Sequence, residues 1–264
     1  MNIFVSFSWL NDFLKTKASR DQIARYLSLC SQSVEKIHPS PDGDKILEIE
    51  VTSNRPDCLS VIGIAREANA ALKSNGFSSS FLPPKKEKIN LTSLPKLPLK
   101  VTITPPSICP RFCALLIENV KVDPSPKIIQ ERLKKAGIRA IDNVVDISNY
   151  LMIETGQPIH TFDYDKILGQ KMIMRLSKKG EAVTTLDGVT RELPGGDIVI
   201  EDGKGRLIDL CGIMGGENSA IDKNTKRVLF FVQAYDPVLI RRTSMLLGHR
   251  TEAAMRFERG IDLE

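Results

Sequence analysis

Seven of the chain's fifteen prolines fall between Phe77 and Pro110: Pro83, Pro84, Pro95, Pro98, Pro105, Pro106 and Pro110. Proline has no backbone N–H and a fixed φ, so a stretch this dense forms neither a helix nor a central strand. With Ser78-Ser79-Ser80 and the cluster Lys85-Lys86-Glu87-Lys88 beside it, residues 77–98 read as an extended linker entering an edge strand at Leu99–Thr104. The linker divides the 264 residues into an N-terminal helix-rich domain, 1–76, and a larger α+β domain, 99–264. The lysines within it read as a solvated face rather than a phosphate contact.

In the first part, Ser8 is placed to cap a short helix carrying Trp9, Phe13 and Leu14, and Ser19 a second with Ile23, Tyr26 and Leu27 on one face. Ile46–Val51 alternates as a half-buried strand does. Ser60 opens a helix with Val61, Ala65, Ala68 and Leu72 inward and Gly76 as its stop. In the second part, Arg111–Val122 reads as a strand. A helix carrying Ile129, Leu133 and Ala136 then ends at Gly137, and another spans 142–154. Strands follow at Lys171–Leu176, Ala182–Leu186, Asp197–Glu201, Leu207–Leu210 and Val228–Val232, with Asp187-Gly188 and Asp202-Gly203 as turns. Asp236-Pro237 begins a helix ending near Gly248. The expected fold is α+β with layered mixed sheets.

Composition excludes several classes. The net charge of +5 is compatible with a polyanionic partner and does not establish one. No apolar run approaches the roughly 18 residues of a membrane span, and the N-terminus has no signal-peptide pattern, so the expected compartment is the cytoplasm and no membrane partner is expected. Five scattered cysteines argue against a disulfide framework, and the spacing of Cys30, Cys58, Cys109, Cys113 and Cys211 with His38, His160 and His249 predicts no metal site. The nucleophile elbow G-x-S-x-G does not occur.

Three stretches carry polar chemistry. Gly156-Gln157-Pro158-Ile159-His160-Thr161-Phe162-Asp163 offers His160 and Asp163 either as an acid-base pair or as capping groups. Gly212-Ile213-Met214-Gly215-Gly216-Glu217-Asn218 ends an apolar strand in glycines, which let backbone amides approach a ligand closely or simply turn the chain. Between Arg241 and Arg259, five arginines and two glutamates either follow a phosphate backbone or form a salt-bridged face.

The order of these stretches carries a resemblance. Asn54-Arg55-Pro56-Asp57-Cys58-Leu59 with Gly63-Ile64-Ala65-Arg66-Glu67, then Asn143-Val144-Val145-Asp146-Ile147-Ser148-Asn149-Tyr150, the Gly156–Asp163 and Gly212–Glu217 stretches, and Arg250-Thr251-Glu252-Ala253 with Arg256-Phe257-Glu258-Arg259-Gly260 closely resemble the β subunit of bacterial-type phenylalanyl-tRNA synthetase. The resemblance implies an N-terminal domain followed by an editing domain that hydrolyses tyrosine wrongly esterified to tRNA(Phe). A pocket shaped for phenylalanine rejects an added hydroxyl only on the order of 10²-fold, so a second sieve is needed. It further implies that His160 and Thr251 orient the ester and water, that Gly215 and Ala253 line the substrate pocket, and that no metal or other cofactor is held in this part. The partners it implies are tRNA(Phe) and the synthetase α subunit, with ATP and magnesium serving the full synthetase.

The chain departs from the family in three respects. It passes from His38-Pro39-Ser40-Pro41 directly to Ile46, with no room for the usual inserted tRNA-binding barrel. It stops at Glu264, before the family's later domains, so aminoacylation by these residues alone is not expected. Phe231 stands where the family places a glutamate that accepts the tyrosine hydroxyl's hydrogen bond, leaving Gln233, two residues along the same face, as the substitute acceptor. An unpaired buried hydroxyl costs about 1–3 kcal/mol. The functional readings are therefore an ester hydrolase with altered specificity and an editing-decayed structural and tRNA-contact module. A free-standing nucleic-acid-binding module is a more distant third.

Overall fold

The computed structural model describes residues 1–85, Ser93, Pro95, Lys96 and 98–263; Lys86-Glu87-Lys88 and much of the expected linker lie outside the described residues. The chain forms two compact units. The first comprises Met1–Ser93, Ser125–Ile141 and Asn149–Gln157, and the second Leu94–Pro124, Asp142–Ser148 and Pro158–Glu264.

The first unit begins with β1 (Asn2–Ser6), α1 (Phe7–Leu10), β2 (Leu14–Thr16), α2 (Arg20–Cys30), β3 (Ser33–Pro39) and β4 (Lys45–Glu50). A 3-10 turn at Pro56–Cys58, α3 (Val61–Ser74) and β5 (Ser79–Phe81) follow. Ser19 caps α2 in a reciprocal box with Gln22, each side chain reaching the other's backbone N–H, and such a cap contributes about 1 kcal/mol. Ser60 caps α3 by accepting from the Gly63 N–H at 3.0 Å. Ser8 is not a cap: Ser6 fills that role for a helix of one turn, and the Ser8 hydroxyl donates to Asp44 at 2.6 Å. Beside the helices stands an antiparallel sheet, β1-β4-β3, whose strands β1 and β3 the sequence did not signal. The β3–β4 hairpin closes through Ser40–Asp44, so no domain is inserted there.

The first unit also includes chain from beyond residue 99. Helix α4 (Lys127–Lys135) and residues 149–155 of α5 (Asn143–Thr155) belong to the first unit. Tyr150 stacks on Trp9 at 4.5 Å, and the Trp9 Nε1–H donates to Glu154 at 3.0 Å. Arg132 lies over the Trp9 ring at 5.3 Å, donates to the Tyr150 hydroxyl, and pairs with Asp12. A guanidinium over an aromatic face is worth about 0.5–2 kcal/mol, which pattern-based division cannot see.

The second unit contains β6 (Lys100–Thr104), β7 (Arg111–Ile117), β8 (Ile159–Asp163), β9 (Lys171–Leu176), β10 (Ala182–Thr184) and β11 (Thr190–Glu192). It continues with β12 (Ile198–Asp202), β13 (Leu207–Leu210), β14 (Met214–Gly215), β15 (Val228–Ala234), α6 (Pro237–Leu246) and α7 (Glu252–Phe257). A five-stranded sheet runs β14-β13-β12-β9-β6, with β6 parallel to β9 at the edge, as the proline-flanked segment requires. A three-stranded antiparallel sheet runs β7-β15-β8, and β10 and β11 form a hairpin. Phe162, Leu229 and Phe231 from the smaller sheet share one buried core with Met174, Ile200 and Ile208 from the larger.

The asparagine-arginine-proline stretch has a structural use in the first unit. Arg55 pairs with Asp57 at 2.9 Å and with Glu67 at 2.8 Å, and Arg66 pairs with Asp57 at 2.7 Å, tying the 3-10 turn to α3. Gly63 permits this contact, because a β-carbon there would lie 1.9 Å from the Asp57 carbonyl oxygen. Gly63→Ala is therefore expected to destabilise the first unit by about 2–3 kcal/mol in urea unfolding, since the obstacle is backbone on both sides.

Candidate functional site

The site is built around one close approach. His160 sits on β8, and its cross-strand partner on β15 is Phe231. Side chains opposite one another in an antiparallel pair share a face, so His160 and Phe231 both point toward the five-stranded sheet. There the imidazole rests on the α-carbon of Gly215 at the end of β14; a β-carbon on Gly215 would lie 2.2 Å from Cε1 and 2.4 Å from Nε2. The ring is also held edge-on by Phe162, with centroids 4.4 Å apart. The glycine-rich stretch is thus a bare backbone seat for a histidine.

Thr251 reaches the same segment from another direction. It caps α7, accepting from the Ala254 N–H at 3.1 Å, and its hydroxyl donates to the Ile213 carbonyl at 2.9 Å. Ala253, in the first turn of α7, packs against the core shared by the two sheets. Three of the residues singled out in the sequence, His160, Gly215 and Thr251, therefore lie on or touch the 212–216 segment, and Ala253 follows Thr251 in α7. The fifth and sixth are in the wall. Phe231 is fully buried, 5.7 Å from the Phe112 ring and 6.1 Å from that of Phe162. Gln233 follows on the same face of β15 and is buried too.

Electrostatics separate two groups at this seat. Burial pulls the His160 imidazole down to about 4, so at neutral pH the ring is uncharged. Asp209 on β13 is the direct partner of Gly215 across the ladder. It is 3% exposed, and burial raises its carboxyl to about 7, only partly opposed by a hydrogen bond with Cys211. Sequence reasoning passed over Asp209, although one acid inside Leu207-Ile208-Asp209-Leu210-Cys211 is the signal that would have found it.

Other expectations resolve differently. His160 and Asp163 are three residues apart on one strand and face opposite ways; Asp163 instead accepts from the Thr225 hydroxyl at 2.7 Å and caps the turn at Asp165. No acid-base pair forms between them. The arginines after Arg241 are largely committed to ion pairs, Arg256 with Glu252 and both Arg250 and Arg259 with Glu258, as the salt-bridged alternative had it. Among the described residues, Asp57, Cys58 and Glu67 bring ligand atoms within 4.8 Å of one another. Their carboxylates are already neutralised by Arg55 and Arg66, and burial pushes the Cys58 thiol up to about 12, a donor set poorly suited to a cation. A separate groove of about 730 Å³, lined by Glu181, Thr184, Arg206, Leu207, Glu217 and Asn218 among others, includes none of the six site residues.

The B3/4 domain family matches residues 108–264, and the chain belongs to that family. Within its longer relatives the chain is similar to the phenylalanine–tRNA ligase beta subunit of Carboxydothermus hydrogenoformans, 44% identical over 221 residues, covering 84% of this chain and 27% of that protein. The beta subunits of Moorella thermoacetica and Geobacter metallireducens are 43% and 42% identical over 221 residues, with the same coverages. The chain thus spans about a quarter of the length of these relatives. Among solved structures, an N-terminal fragment of the phenylalanyl-tRNA synthetase beta subunit from Pyrococcus horikoshii covers 97% of this chain and 74% of its own at 17% identity and a TM-score of 0.46, a likeness too distant to place residues.

The two buried groups make opposing contributions to stability. His160 falls from 6.5 to about 4 on folding, so its contribution is present above pH 6.5 and is lost as pH falls toward 4. Asp209 rises from 3.8 to about 7, so its contribution is present below 3.8 and is lost as pH rises through 7. Relative to wild type, His160→Asn is expected to gain stability at pH 4.5 and Asp209→Asn at pH 8, each read as a shift in thermal midpoint.

Proposed function

We propose that this chain is the N-terminal portion of a phenylalanine–tRNA ligase β subunit, and that its B3/4 unit hydrolyses the ester of tRNA(Phe) mischarged with tyrosine. The observation that carries the reading is the seating of the neutral His160 ring on Gly215, with Thr251 holding Ile213 of the same strap. A neutral imidazole both donates and accepts a hydrogen bond, so it orients a water or an ester carbonyl without attacking either. The Thr251 hydroxyl already donates to Ile213 and accepts from Ala254, which makes it a positioning residue for the strap. Ala253, Phe231 and Gln233 border the substrate's side chain, and the terminal ribose of the tRNA supplies the hydroxyl beside the ester.

In this reading the partners are tRNA(Phe) and the synthetase α subunit, and ATP and magnesium serve aminoacylation in the assembled enzyme, working in the cytoplasm. Among the described residues no helix is long and apolar enough to cross a membrane. The second reading, a structural and tRNA-contact module without hydrolysis, is favoured by Phe231, whose ring is fully buried between Phe112 and Phe162 and accepts no hydrogen bond. Deacylation of tyrosyl-tRNA(Phe) by the assembled synthetase separates the two. A His160→Ala, Thr251→Val double variant is expected to lose about tenfold or more of the rate. Equal rates in the variant and the wild type, with both proteins folded, leave the structural reading standing alone.

A further inference from the structure

The least explained group in the second unit is Asp209. Its carboxyl lies on the sheet face that carries Gly215, Ile200 and Met174, all matched to it through the β14, β12 and β9 registers. That face is apolar: Ile200 and Met174 are buried core residues. Among the described residues Asp209 makes no ion pair, and its hydrogen-bonding neighbour is the weakly polar Cys211 thiol. The Tyr235 hydroxyl, just beyond the end of β15, is close enough to feel its charge. A buried acid with neither a cation nor a full set of donors is unfavourable for stability, and such a group is retained where it meets a ligand.

Its position relative to His160 is fixed by the ladder. Directly opposed residues in an antiparallel pair place their β-carbons about 4.5–5.5 Å apart. The Gly215 β-carbon position is within 2.4 Å of the His160 ring. Asp209 therefore approaches from the five-stranded sheet the same seat that His160 approaches from β8. On the β8 side of that seat Phe162 meets the His160 ring, and Phe231 and then Phe112 continue the aromatic layer behind it. An aromatic layer on one sheet facing a carboxyl on the other matches a phenol, whose ring stacks and whose hydroxyl needs one acceptor.

Building on the ester-hydrolase reading above, we propose that Asp209 is the specificity-determining residue of the His160–Gly215 site, its carboxyl taking the hydrogen bond of a phenolic side chain on the aminoacyl ester. The acceptor thereby comes from β13, opposite the β15 position where Phe231 offers none. Near neutral pH the buried carboxyl is divided between its acid and its anion, and the anion is the stronger acceptor. Ionisation on binding costs less with a phenol hydroxyl present to solvate the charge.

The test compares tyrosyl- and phenylalanyl-tRNA(Phe) as deacylation substrates of the assembled synthetase carrying Asp209→Ala or Asp209→Asn. The expected result is that Asp209→Ala lowers the tyrosyl rate about tenfold or more while leaving the phenylalanyl rate within about twofold, so that selectivity collapses. Asp209→Asn, which keeps an acceptor oxygen, retains most of the selectivity. An unchanged tyrosyl-to-phenylalanyl ratio in a folded Asp209→Ala protein overturns the proposal and leaves the hydrolase reading intact. If the wild type deacylates neither substrate, the hydrolase reading fails by itself, and binding of free L-tyrosine and L-phenylalanine, followed by NMR, decides on Asp209. Tighter binding of tyrosine that Asp209→Ala abolishes supports it; equal binding of the two amino acids, or no effect of the substitution, overturns it.

Discussion

The contact between the His160 imidazole and the α-carbon of Gly215 is the constraint on which the second unit's site depends. A side chain on residue 215 would occupy the ring's own space, 2.2 Å from Cε1. Because β8 and β14 belong to different sheets, this one contact sets where the three-stranded and five-stranded sheets meet at the site. The buried aromatic layer of Phe162 and Phe231 continues from it, and the Thr251–Ile213 hydrogen bond keeps the strap from moving away. Interiors are packed densely enough that shifting a ring by even half an ångström would be felt by each of these neighbours.

Desolvation is the second consequence of that packing, and it acts in opposite directions on the two ionisable groups. The histidine loses its proton more readily and the aspartate holds its proton longer, so near neutral pH the imidazole is uncharged and the carboxyl only partly ionised in a layer that could not accommodate two lone charges. The environment suits polar recognition of an uncharged ligand group. It also explains why the chain's modest net charge of +5 says little about the site itself.

Where helices start was legible in the sequence because the signal is local. Ser19, Ser60 and Asp236 each cap the helix assigned to them, since a side-chain oxygen two or three residues ahead of orphan N–H groups is a short-range matter. Strand β8 was not legible: five residues following a helix, with His, Thr and Asp among them, hide an alternation that only the pairing with β15 reveals. The allegiance of α4 was likewise hidden, because Trp9, Arg132 and Tyr150 meet across more than a hundred residues of chain. For the site, motif order led to His160, Gly215, Thr251 and Ala253, whereas Asp209 became visible only when the β13–β14 register placed it beside Gly215.

The central claim, that the His160 ring is seated against Gly215 and largely withdrawn from water, is most directly tested by an NMR titration of the His160 imidazole in the folded wild-type chain, with the resonance assigned by its loss in His160→Asn. A midpoint near 4 is the expected result. A midpoint at the ordinary value of 6.5 would mean a solvated ring and would contradict the seat on which the site is built.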